Sequence, residues 1–205
     1  MHSNSTKTLR QELLKQRKEF ATGRSFAQLN QRLIHGVHEF LKNEAKLIRS
    51  IALYWPIQDE PDIRPPLLNW AGDDEGRRLA LPYARPDKHL EFYEWHDGDS
   101  LIPSKHGVPE PIPSNQSRPI INPDCIFIPC VGWSRSFVDG KSLYWRLGYG
   151  GGYFDRTLSL LRKKNPKLVC VGIGFDWQKL DGAQWSAQTH DEPLDMLLTE
   201  SGLLR

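Results

Sequence analysis

The eleven residues from Arg146 to Arg156 read RLGYGGGYFDR, and no other stretch restricts the fold so strongly. Gly148, Gly150, Gly151 and Gly152 fall within five positions, so the backbone there can take positive φ and bring its peptide N–H groups close to a ligand. Downstream, Tyr153 to Lys163 carries good helix formers with Phe154, Leu158 and Leu161 at helical spacing. A glycine bend opening a helix offers orphan N–H donors and the positive end of a dipole, both suited to phosphate oxygens. A tight turn needs only one or two glycines, so four in five positions favour an anion or nucleotide loop over that plainer reading. The bend is not a Walker loop, because the pattern counted from Gly148 requires glycine where Tyr153 stands and no Lys-Ser or Lys-Thr follows. The dinucleotide fingerprint fails at the same residue, and no hydrophobic strand is expected to lead straight into the bend.

The rest of the chain supplies a frame. Lys7 to Phe20 is expected to be helical, and a second helix follows Ser25, which with Gln28 forms a capping-box pattern. Strand signals occur at Leu47–Trp55, Arg77–Pro82, Leu90–Trp95, Cys125–Pro129 and Leu168–Phe175, with a helix expected around Asp62–Trp70. Two helices followed by strand–helix alternation predict an α/β fold: a three-layer, open, largely parallel sheet with helices on both faces. Pro103 to Pro123 holds six prolines and is expected to be extended and irregular. Pro129 to Trp145 is expected to be a loop entering the glycine bend. Loops at the carboxyl ends of parallel strands are where ligands bind in such sheets. At 205 residues, one domain over 1–205 is the expectation.

Composition excludes several classes. The formal charge of +2 argues against a general nucleic-acid binder. The basic cluster Lys7, Arg10, Lys15, Arg17 and Lys18 is interrupted by Glu12 and Glu19 and reads as a solvated helix face. No signal peptide opens the chain and no stretch approaches a membrane span, so no membrane partner and a cytoplasmic setting are expected. Cys125, Cys130 and Cys170 form no Cys-x-x-Cys unit and read as reduced packing residues. A monomer is expected, because no heptad or spare apolar stripe is evident.

Other constellations are weaker. Asp59-Glu60, in a proline-stiffened turn after Tyr54-Trp55, offers a carboxylate for parallel N–H bonds from a heterocycle edge; a solvated turn acid is the plainer reading. Asp191 can join Asp155 in holding Mg²⁺, although a turn or cap role suits Asp191, and a dipole role suits Asp155, equally well. Gly132-Trp133-Ser134-Arg135-Ser136 lacks the second glycine of a nucleophile elbow. The seven histidines are too scattered for a zinc site. Trp55, Tyr149 and Tyr153 adjoin the candidate loops and are expected in a ligand cleft.

Taken in order, the motifs resemble the 5-formyltetrahydrofolate cyclo-ligases, also called methenyltetrahydrofolate synthetases. The likeness rests on Lys7-x-Leu9-Arg10, Tyr54 to Glu60, Leu81-Pro82, Gly107-x-x-Glu110-Pro111, Asp124 to Pro129, the glycine block, and His190-Asp191 before Thr199-Glu200. The resemblance implies a single α/β domain related to the sugar-phosphate isomerase and CoA-transferase fold. It implies ATP and Mg²⁺ used to close 5-formyltetrahydrofolate, a reduced folate, into 5,10-methenyltetrahydrofolate. Carried over, Lys7, Arg10 and Arg146 neutralise the triphosphate, while Leu147, Gly148, Tyr149, Gly150, Gly151, Gly152 and Tyr153 enclose it, with Arg146 and Tyr153 catalytic. Asp155 and Asp191 are the implied Mg²⁺ carboxylates. Glu60 grips the pterin edge, and Trp55, Tyr149, Tyr153 and the three glycines Gly150 to Gly152 shape the folate pocket.

Two departures stand out. Phe137-Val138-Asp139-Gly140 is followed by five extra residues, Lys141 to Trp145, and Gly151 stands where some relatives carry a basic residue, a charge that Lys141 or Arg135 can supply. The longer loop is the support for an alternative, a folate- or nucleotide-binding relative without turnover. A third reading is a related enzyme acting on another N-formyl or amide substrate.

Overall fold

Every residue of Cys125–Pro129 is buried, which a strand achieves only inside a sheet covered on both faces. A computed structural model describes residues 2–113 and 118–205, and of residues 2–4 the backbone alone. In chain order its elements are α1 (His2–Ala21), α2 (Phe26–Asn43), β1 (Ser50–Ala52), α3 (Arg64–Gly72), β2 (Arg78–Ala84) and β3 (Leu90–Glu94). They continue with β4 (Leu101–Pro103), β5 (Pro109–Pro111), β6 (Cys125–Pro129), β7 (Gly132–Val138) and β8 (Lys141–Leu147). The last are α4 (Tyr153–Lys164), β9 (Val169–Ile173), a 3-10 turn (Asp176–Gln178), β10 (Met196–Thr199) and β11 (Gly202–Leu204).

Seven strands form one sheet in the order β11-β10-β9-β6-β1-β2-β3. Pairings from β10 through β2 are parallel, and the edge strands β3 and β11 run antiparallel. Side chains alternate between the faces: Ile51, Leu53, Phe127 and Val171 join one core cluster, while Ala52, Ile126, Ile128 and Cys170 join the other. Leu33, Val37, Phe40 and Leu41 of α2 cover the first face beside Leu67 and Trp70 of α3. Leu158 of α4, with Phe154 and Leu161 beside it, covers the second. The expected largely parallel α/β sheet with helices on both faces is therefore present. α1 lies on segments that follow β6 and β9, where its Leu13 packs with Val131 and Leu180.

Three local expectations are corrected. Ser25 makes no side-chain cap on α2, and its own backbone is already helical, so the capping-box geometry is lost. The proline-rich segment is not wholly irregular, because β4 and β5 pair antiparallel around a turn at Ser104–Gly107; residues 114–117 lie outside the described residues. The segment before the glycine bend is a hairpin, β7 paired with β8 from Gly132↔Leu147 to Val138↔Lys141. Asp139 (φ 50°) and Gly140 (φ 76°) form its two-residue turn, the backbone that matches strand twist. A strand does lead straight into the bend, and the extra Lys141 to Trp145 is its length.

Candidate active site

β8 delivers the chain to the glycine bend at Leu147, and α4 takes it away at Tyr153. Gly150 (φ 94°) and Gly152 (φ 68°) adopt left-handed conformations there, and a Cβ on Gly152 would stand 2.8 Å from Arg156 Nη1. The bend turns its carbonyls toward cations: Arg10 Nε donates to Gly148 O (2.8 Å) and Arg156 Nη1 to Gly151 O (2.9 Å). Among the described residues, no amide N–H from Gly148 to Asp155 donates to a protein acceptor. A run of unclaimed amides beside guanidiniums, at a helix start, is a concavity for an anion.

The bend lines a cavity of about 1240 Å³ that also takes in Trp55, Glu60, Arg146, Asp155 and Asp191. Arg146 is buried; its Nη2 donates to Asp155 Oδ2 (2.9 Å), its guanidinium lies 5.0 Å from the Phe154 ring centre, and its Nε has no partner. The other Asp155 oxygen faces the Glu192 amide at 3.4 Å. Asp191 accepts from the Gln188 amide at 2.7 Å. Leu194, which donates to the Tyr144 carbonyl of β8, ties this C-terminal segment to the hairpin, and that contact carries Asp191 to the bend. Burial lowers the Arg10 guanidinium from its usual value, and the Asp191 carboxylate opposes the effect. Tyr153 lines the cavity beneath the β4–β5 turn, its ring centre 6.0 Å from that of His106.

At the other end the chain leaves β1 and makes a tight turn. Gln58 (φ 48°) and Asp59 (φ 61°) both take left-handed backbone, and Glu60 N donates to Ile57 O at 3.0 Å. Two successive residues with Cβ atoms in that region mark stored strain, and its effect is to swing Glu60 inward while Asp59 stays exposed. Tyr54 Oη closes the turn by donating to Pro61 O (2.6 Å). One Glu60 oxygen accepts from Ile57 N (3.0 Å) and the other from Tyr149 Oη (2.6 Å). The Glu60 side chain is 1 % exposed, closed in by the partners on both of its oxygens. Burial pushes the Glu60 carboxyl above its usual range, with Arg17, Tyr149 and the Ile57 amide pulling the other way. Trp55 lines the cavity with one face against Arg64, 4.2 Å from the ring centre.

The cavity therefore gathers Arg10, Trp55, Glu60, Asp155, Asp191 and Arg146 together with the whole bend from Leu147 to Tyr153. Lys7 is exposed and is not among the lining residues; Thr6 and Arg10 represent α1 instead. Lys141 and Arg135 do not line it either; Arg135 bonds Ser142 on the hairpin. Several lining or supporting groups lay outside the sequence expectation, Arg17 and His106 among them. Arg17, read as solvated, is 2 % exposed and bonds Tyr149 Oη. Its signal was the face it shares with Leu13, four residues earlier, and Arg10, seven earlier. His106 is carried in by the β4–β5 turn. The cysteines stay free and buried, and burial pushes the Cys130 thiol, beside the cavity, up to about 12, which removes it as a nucleophile.

An α/β sheet that brings an amide-lined cationic bend and an acid-bearing aromatic pocket to its carboxyl edge defines a ligand-binding domain for an anionic group beside an organic one. Residues 2–200 match the model of the 5-formyltetrahydrofolate cyclo-ligase family, and the chain belongs to that family of ligases. It is 27 % identical over 195 residues to the 5-formyltetrahydrofolate cyclo-ligase of Mycoplasma pneumoniae, covering 94 % of this chain and 96 % of that one. The solved structure of a 5,10-methenyltetrahydrofolate synthetase from the same organism shares the fold, with a TM-score of 0.70 at 24 % identity over 95 % of this chain and 98 % of that one. The Aquifex aeolicus 5,10-methenyltetrahydrofolate synthetase aligns with a TM-score of 0.66 at 27 % identity, covering 96 % and 92 %. No helix among the described residues is long and apolar enough to cross a membrane.

Proposed function

We propose that this protein closes 5-formyltetrahydrofolate to 5,10-methenyltetrahydrofolate at the expense of ATP, releasing ADP and phosphate. The observation that carries this reading is the run of unclaimed amides from Gly148 to Asp155, flanked by Arg10, Arg146 and Arg156, in the same cavity as Trp55 and Glu60. The amides and guanidiniums receive the phosphate tail, and the opposite end receives the pterin. A formamide oxygen is a poor leaving group until the γ-phosphoryl passes to it. The neighbouring amine nitrogen of the folate then attacks the formyl carbon, the C–O bond breaks, phosphate carries the oxygen away, and the amine proton is lost. Such transfer asks the protein for positioning and charge neutralisation.

Arg146 supplies a fixed cation whose unpartnered Nε and buried guanidinium sit beside the bend. Tyr153, at the first position of α4, walls the junction between the two ends. The donor set fits Mg²⁺, which is held by one or two carboxylates plus phosphate oxygens and water: Asp155 and Asp191 share the cavity and both are oxygen donors. Bound there, the ion would offset phosphate charge that the arginines leave uncompensated.

Purified protein mixed with ATP, Mg²⁺ and 5-formyltetrahydrofolate should show methenyl absorbance growing in the near ultraviolet. Thermal stabilisation by both ligands with no such growth would favour the binding protein. Stabilisation by ATP without any response to the folate would favour a different substrate.

A further inference from the structure

Arg17 is the least explained charged group in the molecule. It is 2 % exposed, its Nη2 bonds Tyr149 Oη, its Nη1 stands 3.9 Å from Glu60 Oε1, and its Nε has no partner. A buried cation is tolerated only where an anion compensates it, and Glu60 is that anion. The two groups come from different parts of the fold: Arg17 from α1, Glu60 from the turn after β1. Tyr149, from the glycine bend, bridges them. Two helical turns earlier on the same face of α1, Arg10 holds the Gly148 carbonyl. α1 thus grips the bend at two points and the acid turn at one.

We propose that Arg17 is a positioning residue for the folate end of the cavity: it fixes the Glu60 carboxylate, in its ionised form, against the Tyr149 hydroxyl. This rests on the reading of Glu60 as the pterin acceptor. A carboxylate with almost no exposed surface needs a permanent cation to remain an acceptor when a ligand displaces Tyr149. Arg17 is placed to be that cation, since its charge acts on Glu60 directly whereas its hydrogen bond goes to Tyr149. The groups facing Glu60 are Arg17 from α1, Tyr149 from the bend and the Ile57 amide from its own turn, with Tyr54 and Cys130 near enough to feel its charge. Burial raises both Tyr54 and Cys130, which stay neutral, so Arg17 carries the electrostatic effect.

The test is equilibrium binding of 5-formyltetrahydrofolate, without ATP, followed across the acid range in wild type, Arg17→Met, Arg17→Lys, Arg17→Gln and Glu60→Gln. Arg17→Met should weaken binding near neutrality by about tenfold, the scale of losing a charged partner. It should also move the acid midpoint of binding up by about one pH unit. Arg17→Lys should return the midpoint toward wild type, and Arg17→Met should add nothing in a Glu60→Gln background. Loss of thermal stability in Arg17→Met with the midpoint unmoved would overturn the proposal. Should that variant not fold, Arg17→Gln decides: it keeps a polar side chain without the charge and should raise the midpoint in the same direction, and an unmoved midpoint rejects the idea. The carboxyl-carbon titration of Glu60 in folate-free protein separates the two readings. If it rises in Arg17→Met while Glu60→Gln binds folate normally, only the folate assignment of Glu60 fails; if it stays put, Arg17 does not hold the carboxylate.

Discussion

The two ends of the cavity handle charge in opposite ways. At the glycine bend, the Gly148 and Gly151 carbonyls are capped by Arg10 and Arg156, and among the described residues the amides from Gly148 to Asp155 donate to no protein acceptor. At the Trp55–Glu60 end, the polar groups are bonded to one another: Glu60 to Ile57 and Tyr149, Tyr149 to Arg17, Tyr54 to Pro61. Under the proposed function, that difference separates affinity from selectivity: the bend would meet a phosphate tail directly, whereas the buried acid would yield only to a donor able to replace one of its internal partners.

Arg146→Ala tests the open end most severely. Under the proposed function, removing this fixed cation beside the bend should lower kcat by about 100-fold or more, with a smaller change in folate KM; steady-state kinetics with each substrate varied would show it. A loss confined to folate KM would break the division between the ends. Glu60→Gln tests the closed end, and should weaken 5-formyltetrahydrofolate about tenfold while leaving ATP affinity within about twofold. The pH dependence carries a sign. Because burial raises the Glu60 carboxyl, lowering pH protonates it sooner than an exposed glutamate, so folate affinity falls on the acid side beginning at unusually high pH. Glu60→Gln should flatten that limb, which binding titrations across pH would reveal.

Gly152→Ala sharpens the account of the bend itself. With φ of 68° and a Cβ meeting Arg156, it should cost about 1–2 kcal/mol of stability and raise the ATP KM several-fold; thermal melts and kinetics check both. The smallest effect belongs outside the cavity. Phe137, 67 % exposed near the tip of the β7–β8 hairpin, should tolerate serine with stability changed by less than about 0.5 kcal/mol and kinetics unchanged. A large kinetic effect there would mean the hairpin tip reaches the ligands.

Much of the fold was legible because its signals are local. Cys125–Pro129 reads as a buried strand and is one at the same residues, and the helix after the glycine bend starts where the pattern begins. The β7–β8 hairpin is marked in the sequence only by Asp139-Gly140 between two aromatic-rich runs, a weaker local signal than the glycine block downstream. The five extra residues on which the reading of a binding protein without turnover rests lie in β8. Arg17 was hidden for another reason. Its neighbours in sequence are charged and exposed, and only the arrival of Glu60 and Tyr149 from distant segments makes burial of a guanidinium tolerable.

The chain alone determined the sheet type, the helices and most of the central strands, and the bend at Gly148–Gly152, because periodicity, turn chemistry and the absence of Cβ atoms act between near neighbours. Tertiary structure decided which charges face one another. It carried Arg10 from α1, Glu60 from the turn after β1 and Asp191 from the C-terminal segment to one cavity, and it set Arg17 against Glu60 and Tyr149. Electrostatics depends on distance through space and on the removal of water, and neither is written in the spacing of residues along a chain.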